Sequence, residues 1–286
     1  MNRKNFIKGS LLGASILGVG GWAAKLFGNT GEHTKNIGYN HIPNKEIKTM
    51  NTVLHKAATR GHANHGWLDT HHTFSFANYM NPDRMHFGAL RVLNDDIVDG
   101  GMGFGTHPHA NMEIISIPLS GDLEHKDSMN NVAVIRQNDI QVMSAGTGIY
   151  HSEYNKNKDS KVNFLQIWVF PKQKDIEPRY DQITLDAADR ENKLQQIVSP
   201  NKEAEGVWIN QDAWFYLGNL KKGFSTTHKL NLRGNGIYAF VLKGDVNVNG
   251  QILNQRDGFG VWDVDSIDIV ADSDAELLLM EVPMAI

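Results

Sequence analysis

Four side chains stand out for what their types and spacing could do. His107 and His109 lie in FGTHPHANMEI (104–114), and His151 and Glu153 lie in SAGTGIYHSEYN (144–155). In a β-strand, positions i and i+2 project from one face, so each pair presents two donors to the same side. Neighbouring strands would bring three imidazoles and one carboxylate together. Such a set suits a divalent first-row metal in a mixed nitrogen and oxygen site, with open positions for water, substrate or dioxygen. Gly146 and Gly148, just before the second pair, permit a sharp approach turn. Glu113, four residues beyond His109, competes with Glu153 for the fourth place. The chain has no cysteine, so disulfides, thiolate nucleophiles and thiolate metal ligands are all excluded.

Other chemistry is weaker. Ser152 stands between two proposed ligands without a Ser-His-Asp set. GGMGFG (100–105) lacks the GK[ST] and the following helix of a phosphate-cradling loop. HANHGWLDTHHTF (62–74) is rich in histidine, but His71 and His72 point to opposite sides of a strand, so no second metal is expected there. His125 reads as a surface residue after a turn.

The elements that must position these residues are strands. Runs rich in Val, Ile, Phe and Tyr recur at roughly 8–12-residue spacing, punctuated by Gly, Asn and Asp, which is the pattern of sandwiches and barrels. The clearest are NVAVIRQNDIQVMSA (131–145), VNFLQIWVF (162–170), GIYAFVLKGDVNVNGQIL (236–253) and DSIDIVADSDAELLLMEV (265–282). Asn249-Gly250 is a strong hairpin signal. ISIPLSGDLEHKDS and YAFVLKGDVNVNGQ align around Gly121-Asp122 and Gly244-Asp245, which points to an internal duplication and two β-barrels. FPKQKDIEPRY (170–180) reads as the joint, and TLDAADRENKLQQIV (184–198) is the best helix candidate.

The chain has 286 residues, 41% of them hydrophobic, enough for real cores. Residues 1–30 carry four basic and no acidic side chains; the rest carry 24 basic against 32 acidic, a net of −8. A mildly acidic body argues against nucleic acid and against an anionic membrane surface. Residues 1–30, with a basic head and a short apolar middle, read as an export signal. The apolar run falls short of the roughly 20 residues of a membrane span. RKNFIK is similar to the twin-arginine motif, with Lys4 in place of the second arginine. That predicts an exported, periplasmic protein with no stable membrane span after processing; a cytoplasmic or N-terminally anchored protein is the alternative. Residues 31–49 read as a linker, followed by domains at 50–175 and 180–286.

FGTHPHANMEIISIPLSGDLEHKDS followed by IQVMSAGTGIYHSEYN resembles the pirin family of the cupin superfamily, its bacterial quercetinase-like branch in particular. The likeness runs from Met50 through HHTFSFANYMNPDRMHFGALRVLNDD and FLQIWVFP to the closing AELLLMEVPM. It implies an all-β bicupin: two jelly-roll-like barrels packed face to face, with a metal in the N-terminal barrel only. The family's ligands match His107, His109, His151 and Glu153, which leaves Glu113 as a nearby or pocket residue. The implied metal is one Fe(II) per chain, with Mn, Co, Ni and Cu as alternatives. The implied reaction is that of a quercetin 2,3-dioxygenase-like oxidoreductase: Glu153 takes the proton of a flavonol 3-hydroxyl, dioxygen adds, and the ring opens with loss of carbon monoxide. Partners would then be a small phenolic substrate and dioxygen, with the protein a monomer. Ala110 and Tyr150 depart from the residues common in relatives, and both adjoin ligands. Phe104, Met112 and Tyr150 are expected pocket walls. A different class of function is a non-catalytic, redox-responsive metal protein that binds other proteins; a third is a zinc-dependent cupin reaction such as sugar isomerisation.

Overall fold

The computed structural model describes residues 49–286; the export-like segment and nearly all of the expected linker lie outside them. Among the described residues every regular element is a strand or a single 3-10 turn. Two seven-stranded sheets and two four-stranded sheets form two barrels, each with one sheet of each kind.

The seven-stranded sheets meet back to back. On Leu90–Val98, Leu93 faces the other barrel while Asn94 and Asp96 face inward. Val162–Val169 divides in the same way: Leu165, Ile167 and Val169 join the core between the barrels, while Phe164, Gln166 and Trp168 turn into the first barrel. The second barrel sends Phe215, Tyr238, Phe240, Leu278 and Met280 into that shared core. Both faces of each large sheet are therefore buried, which is why Asn235–Lys243 reads as an unbroken apolar run rather than an alternating one. Truncating Phe215, fully buried here, removes a ring with nothing to replace it, a cost of about 3–5 kcal/mol.

The duplication is visible in the turns. Glu113–Ser120 leads through Gly121 to Leu123–Asp127, and Asn235–Lys243 leads through Gly244 to Val246–Val248. Both glycines have φ near +75°, a conformation that side chains rarely adopt. The Asn249-Gly250 hairpin also forms, both residues having positive φ as its tight turn requires.

Two expectations change. Residues 184–198 contain one 3-10 turn, Ala187–Arg190, entered through the Asp186 side chain, and then the strand Gln195–Ser199. Pairing of that strand with Trp214–Leu220 overrides the modest helical periodicity. The barrels also exchange edges. Asn51–His55 pairs with Gly258–Trp262 of the second barrel, and Arg179–Thr184 pairs with Asp139–Ser144 of the first. Boundaries at 50–175 and 180–286 would cut both pairings.

Candidate metal centre

The first barrel's four-stranded sheet carries the histidines. Gly103–His109 pairs antiparallel with Ile149–Asn155, and the register sets His107 opposite His151, His109 opposite Ile149, and Glu153 opposite Phe104. The register shifts by one residue between His151 and Glu153, where the partner strand carries an extra residue between Phe104 and His107. The rings of His107, His109 and His151 have centroids 4.4–4.9 Å apart. One ligand nitrogen from each lies within 4.8 Å of the others. Gly146 makes the approach possible: with φ at +47°, a Cβ there would meet the Ile176 carbonyl oxygen at 2.1 Å.

Hydrogen bonds fix which nitrogen is free in two of the three rings, His107 and His151. His107 Nδ1 donates to the Gly105 carbonyl at 2.8 Å, leaving Nε2 as the lone-pair nitrogen. His151 is set by a chain. The Asp127 carboxylate accepts from His125 Nε2 at 3.2 Å, so His125 Nδ1 is an acceptor, and His151 Nδ1 donates to it at 3.5 Å. His151 Nε2 is then a buried lone pair with no partner, turned toward the cluster. Burial raises the Asp127 carboxyl, but hydrogen bonds from Asn131, His125 and Met129 outweigh it and hold the group below the usual range. Burial, reinforced by the neighbouring imidazoles, pushes His109 down to about 4 and His151 down to about 3. Both rings are neutral at physiological pH, the form that binds a metal.

Glu153 sits beside this triad rather than within it. Its oxygens accept from Ser116 Oγ at 3.1 Å and from Gln166 Nε2 at 2.8 Å. It shares a second cluster, also within 4.8 Å, with His151 and His125. Each oxygen accepts one neutral donor and keeps a lone pair for a metal or a proton.

A cleft of about 220 Å³ opens onto the histidines. Leu68, Phe76, Phe104 and Trp168 form its apolar walls; Thr70, His72, Asn94, Asp96 and Gln166 line a polar side. His109 packs edge-on to Trp168 at 4.9 Å. The Trp168 indole N–H is buried without a partner, a donor available to a ligand. Asp96 accepts from the Thr70 hydroxyl, and burial pushes its carboxyl up to about 7.

The orphaned His151 nitrogen, the fixed tautomers and the nearby carboxylate fit a divalent ion, and no lysine or arginine lines the cleft to oppose it. Other expected residues are placed differently. His125 is fully buried against Tyr180 rather than exposed, because Arg179–Thr184 folds back over it. Glu113 is buried away from the cleft, accepting from Ser144 Oγ and the Asn210 amide. Met112 packs with Ile114, Met143 and Ile149, and Tyr150 is exposed on the outer face; of the three expected walls only Phe104 lines the cleft.

Comparison with known proteins identifies the family. The family model Pirin matches residues 35–169, and the model for a quercetinase C-terminal cupin domain matches residues 196–282. Quercetin 2,3-dioxygenase of Escherichia coli (strain K12) is 45% identical over 230 residues, 80% of this chain and 98% of that protein. The chain belongs to the pirin family. A pirin-like protein of Caulobacter vibrioides is 40% identical over 77% of this chain and 95% of its own. The crystal structure of the bacterial pirin YhhW from Escherichia coli in complex with nickel(II) matches with a TM-score of 0.77 at 43% identity, covering 81% of this chain and 99% of that one. The two barrels are two cupin-like domains, a bicupin.

Proposed function

We propose that this pirin is a metal-dependent dioxygenase that opens a flavonol or related phenolic ring, with His107, His109, His151 and Glu153 holding one divalent ion, Fe(II) by preference. The observation that carries the reading is the histidine triad, one ring buried and two half-buried, at the end of a largely apolar cleft with a carboxylate beside it. The bound ion would supply Lewis-acid stabilisation of the substrate anion and a route for electrons toward dioxygen.

The chain's own residues supply the rest. Phe76, Phe104 and Trp168 flank an aromatic ligand and exclude water from it. Thr70, Asn94 and the Trp168 N–H offer polar contacts for ring oxygens. Glu153 takes the phenolic proton on a free lone pair while Ser116 and Gln166 hold its carboxylate in place. The relative named quercetin 2,3-dioxygenase supports the reaction class, and the nickel complex of YhhW supports a divalent occupant.

The test is anaerobic purification, metal quantification, then dioxygen uptake with quercetin. One iron per chain with dioxygen consumption and carbon monoxide release is expected. One metal per chain without uptake on any flavonol would replace the reading with a non-catalytic, metal-binding role. The basic, apolar residues 1–30 support export by a folded-protein route; a reporter active only after folded export, fused to residues 1–49, is expected to reach the periplasm, and its retention in the cytoplasm would end that part.

A further inference from the structure

The strand Leu68–His72 has two faces. Leu68, Thr70 and His72 turn into the cleft, while Asp69 and His71 turn outward. Its partner in the ladder, Gly61–Asn64, is the outermost strand of the sheet and places His62 directly opposite His71. Cross-strand neighbours stand about 5 Å apart at Cβ, and these two rings lie stacked with centroids 4.4 Å apart. Asp69, two residues before His71, completes a third corner: its Oδ1 is 2.7 Å from His62 Nε2 and 4.0 Å from His71 Nδ1. All three ligand atoms lie within 4.8 Å of one another. Their side chains are 51%, 38% and 36% exposed for His62, Asp69 and His71, so an ion could reach them directly from solvent. Arg60, next to this hairpin, is turned to Asp95 at 3.4 Å and does not occupy Asp69.

We propose that His62, Asp69 and His71 form a second divalent-metal site, of the zinc type, on the outer face of this hairpin. Two imidazole nitrogens and one carboxylate oxygen leave the fourth tetrahedral position to water. The site is independent of the centre inside the barrel and of the reaction proposed for it. Its position gives it a consequence. The bound ion ties the edge strand to the strand whose other face lines the cleft, and the connecting loop carries His65, also a cleft residue. An external ion thus stiffens one wall of the internal site.

Zinc titration of the metal-free full chain against a chromophoric chelator tests the site. Two equivalents are expected for the unaltered chain. His62→Ala/His71→Ala should keep the inner equivalent, which also reports a folded barrel, and lose the outer one. His107→Ala/His109→Ala should show the reverse. Asp69→Asn should weaken the outer equivalent by about tenfold or more. Hydrogen exchange in residues 61–72 should slow when the second equivalent binds. A titration in which His62→Ala/His71→Ala removes no equivalent would overturn the site; unchanged exchange would overturn the stiffening.

Discussion

The two barrels share one framework and fill it differently. In the first, the four-stranded sheet runs in the order Gly103–His109, Ile149–Asn155, Leu123–Asp127, Val132–Ile135; in the second, Ser225–Lys229, Ser266–Ala271, Val246–Val248, Gln251–Leu253. The central strand of the first points His151 and Glu153 inward, whereas that of the second points Ile267, Ile269 and Ala271. The second interior is one continuous aliphatic cluster. The first is divided into two small apolar clusters, one around Phe164 and one around Ile114, with the polar centre and its cleft besides. Aliphatic packing holds the second barrel together. In the first, part of that packing is given up for groups whose ionisation burial opposes. One barrel is built for stability, the other for a site.

That contrast can be broken at several points. The largest effect is expected from His151→Ala, which should lose most of the metal by elemental analysis, while His228→Ala, the inward histidine of the second barrel, should leave metal content unchanged. Full metal in the first variant would dissolve the contrast. Glu153→Gln should lower turnover by about 10²–10⁴-fold with metal retained; equal loss of both would leave Glu153 a structural ligand only. Ile269→Ala should cost about 2–5 kcal/mol of stability, read from denaturant midpoints, with metal content unaltered. His125→Phe removes the acceptor that orients His151 and should weaken metal affinity by about 10–100-fold, measured by chelator competition. The smallest effect is a slope. In the metal-free protein His109 and His151 have lowered pKa values, so their contribution is present above about 6.5 and is lost as pH falls toward about 4 and 3. Asp96, raised to about 7, acts oppositely, its contribution being present below the ordinary carboxylate value and lost as pH rises to 7. Asp96→Asn should therefore steepen the loss of stability from pH 6.5 to 4, and His109→Ala should flatten it.

Much of this was legible from local pattern. The i, i+2 pairs at 107/109 and 151/153, the Asn249-Gly250 turn and the matching glycines at 121 and 244 each depend on a few adjacent residues. What escaped the sequence depends on partners far along the chain. His125 is buried by Tyr180, brought in by a strand 55 residues later. His71 gains a partner in His62 only because the hairpin folds, so spacing along one strand could not show it. Glu113 lies on the right strand to reach the site but is held elsewhere by Ser144 and Asn210. The 184–198 segment has helical spacing, yet sheet pairing decides its conformation.

The exchanged edges also bear on how the molecule is made. Asn51–His55 finds its partner only at Gly258–Trp262, so this strand must wait through the synthesis of almost the whole body before it can pair. Closing so long a loop favours slow, late completion. The first barrel, likewise, has an uncovered edge until Arg179–Thr184 has emerged. Neither half reaches its final form alone, and a nascent chain stopped anywhere before residue 262 carries an unpaired strand edge, the feature that invites aggregation. The expected signature is a single cooperative unfolding transition for residues 49–286 rather than one for each barrel.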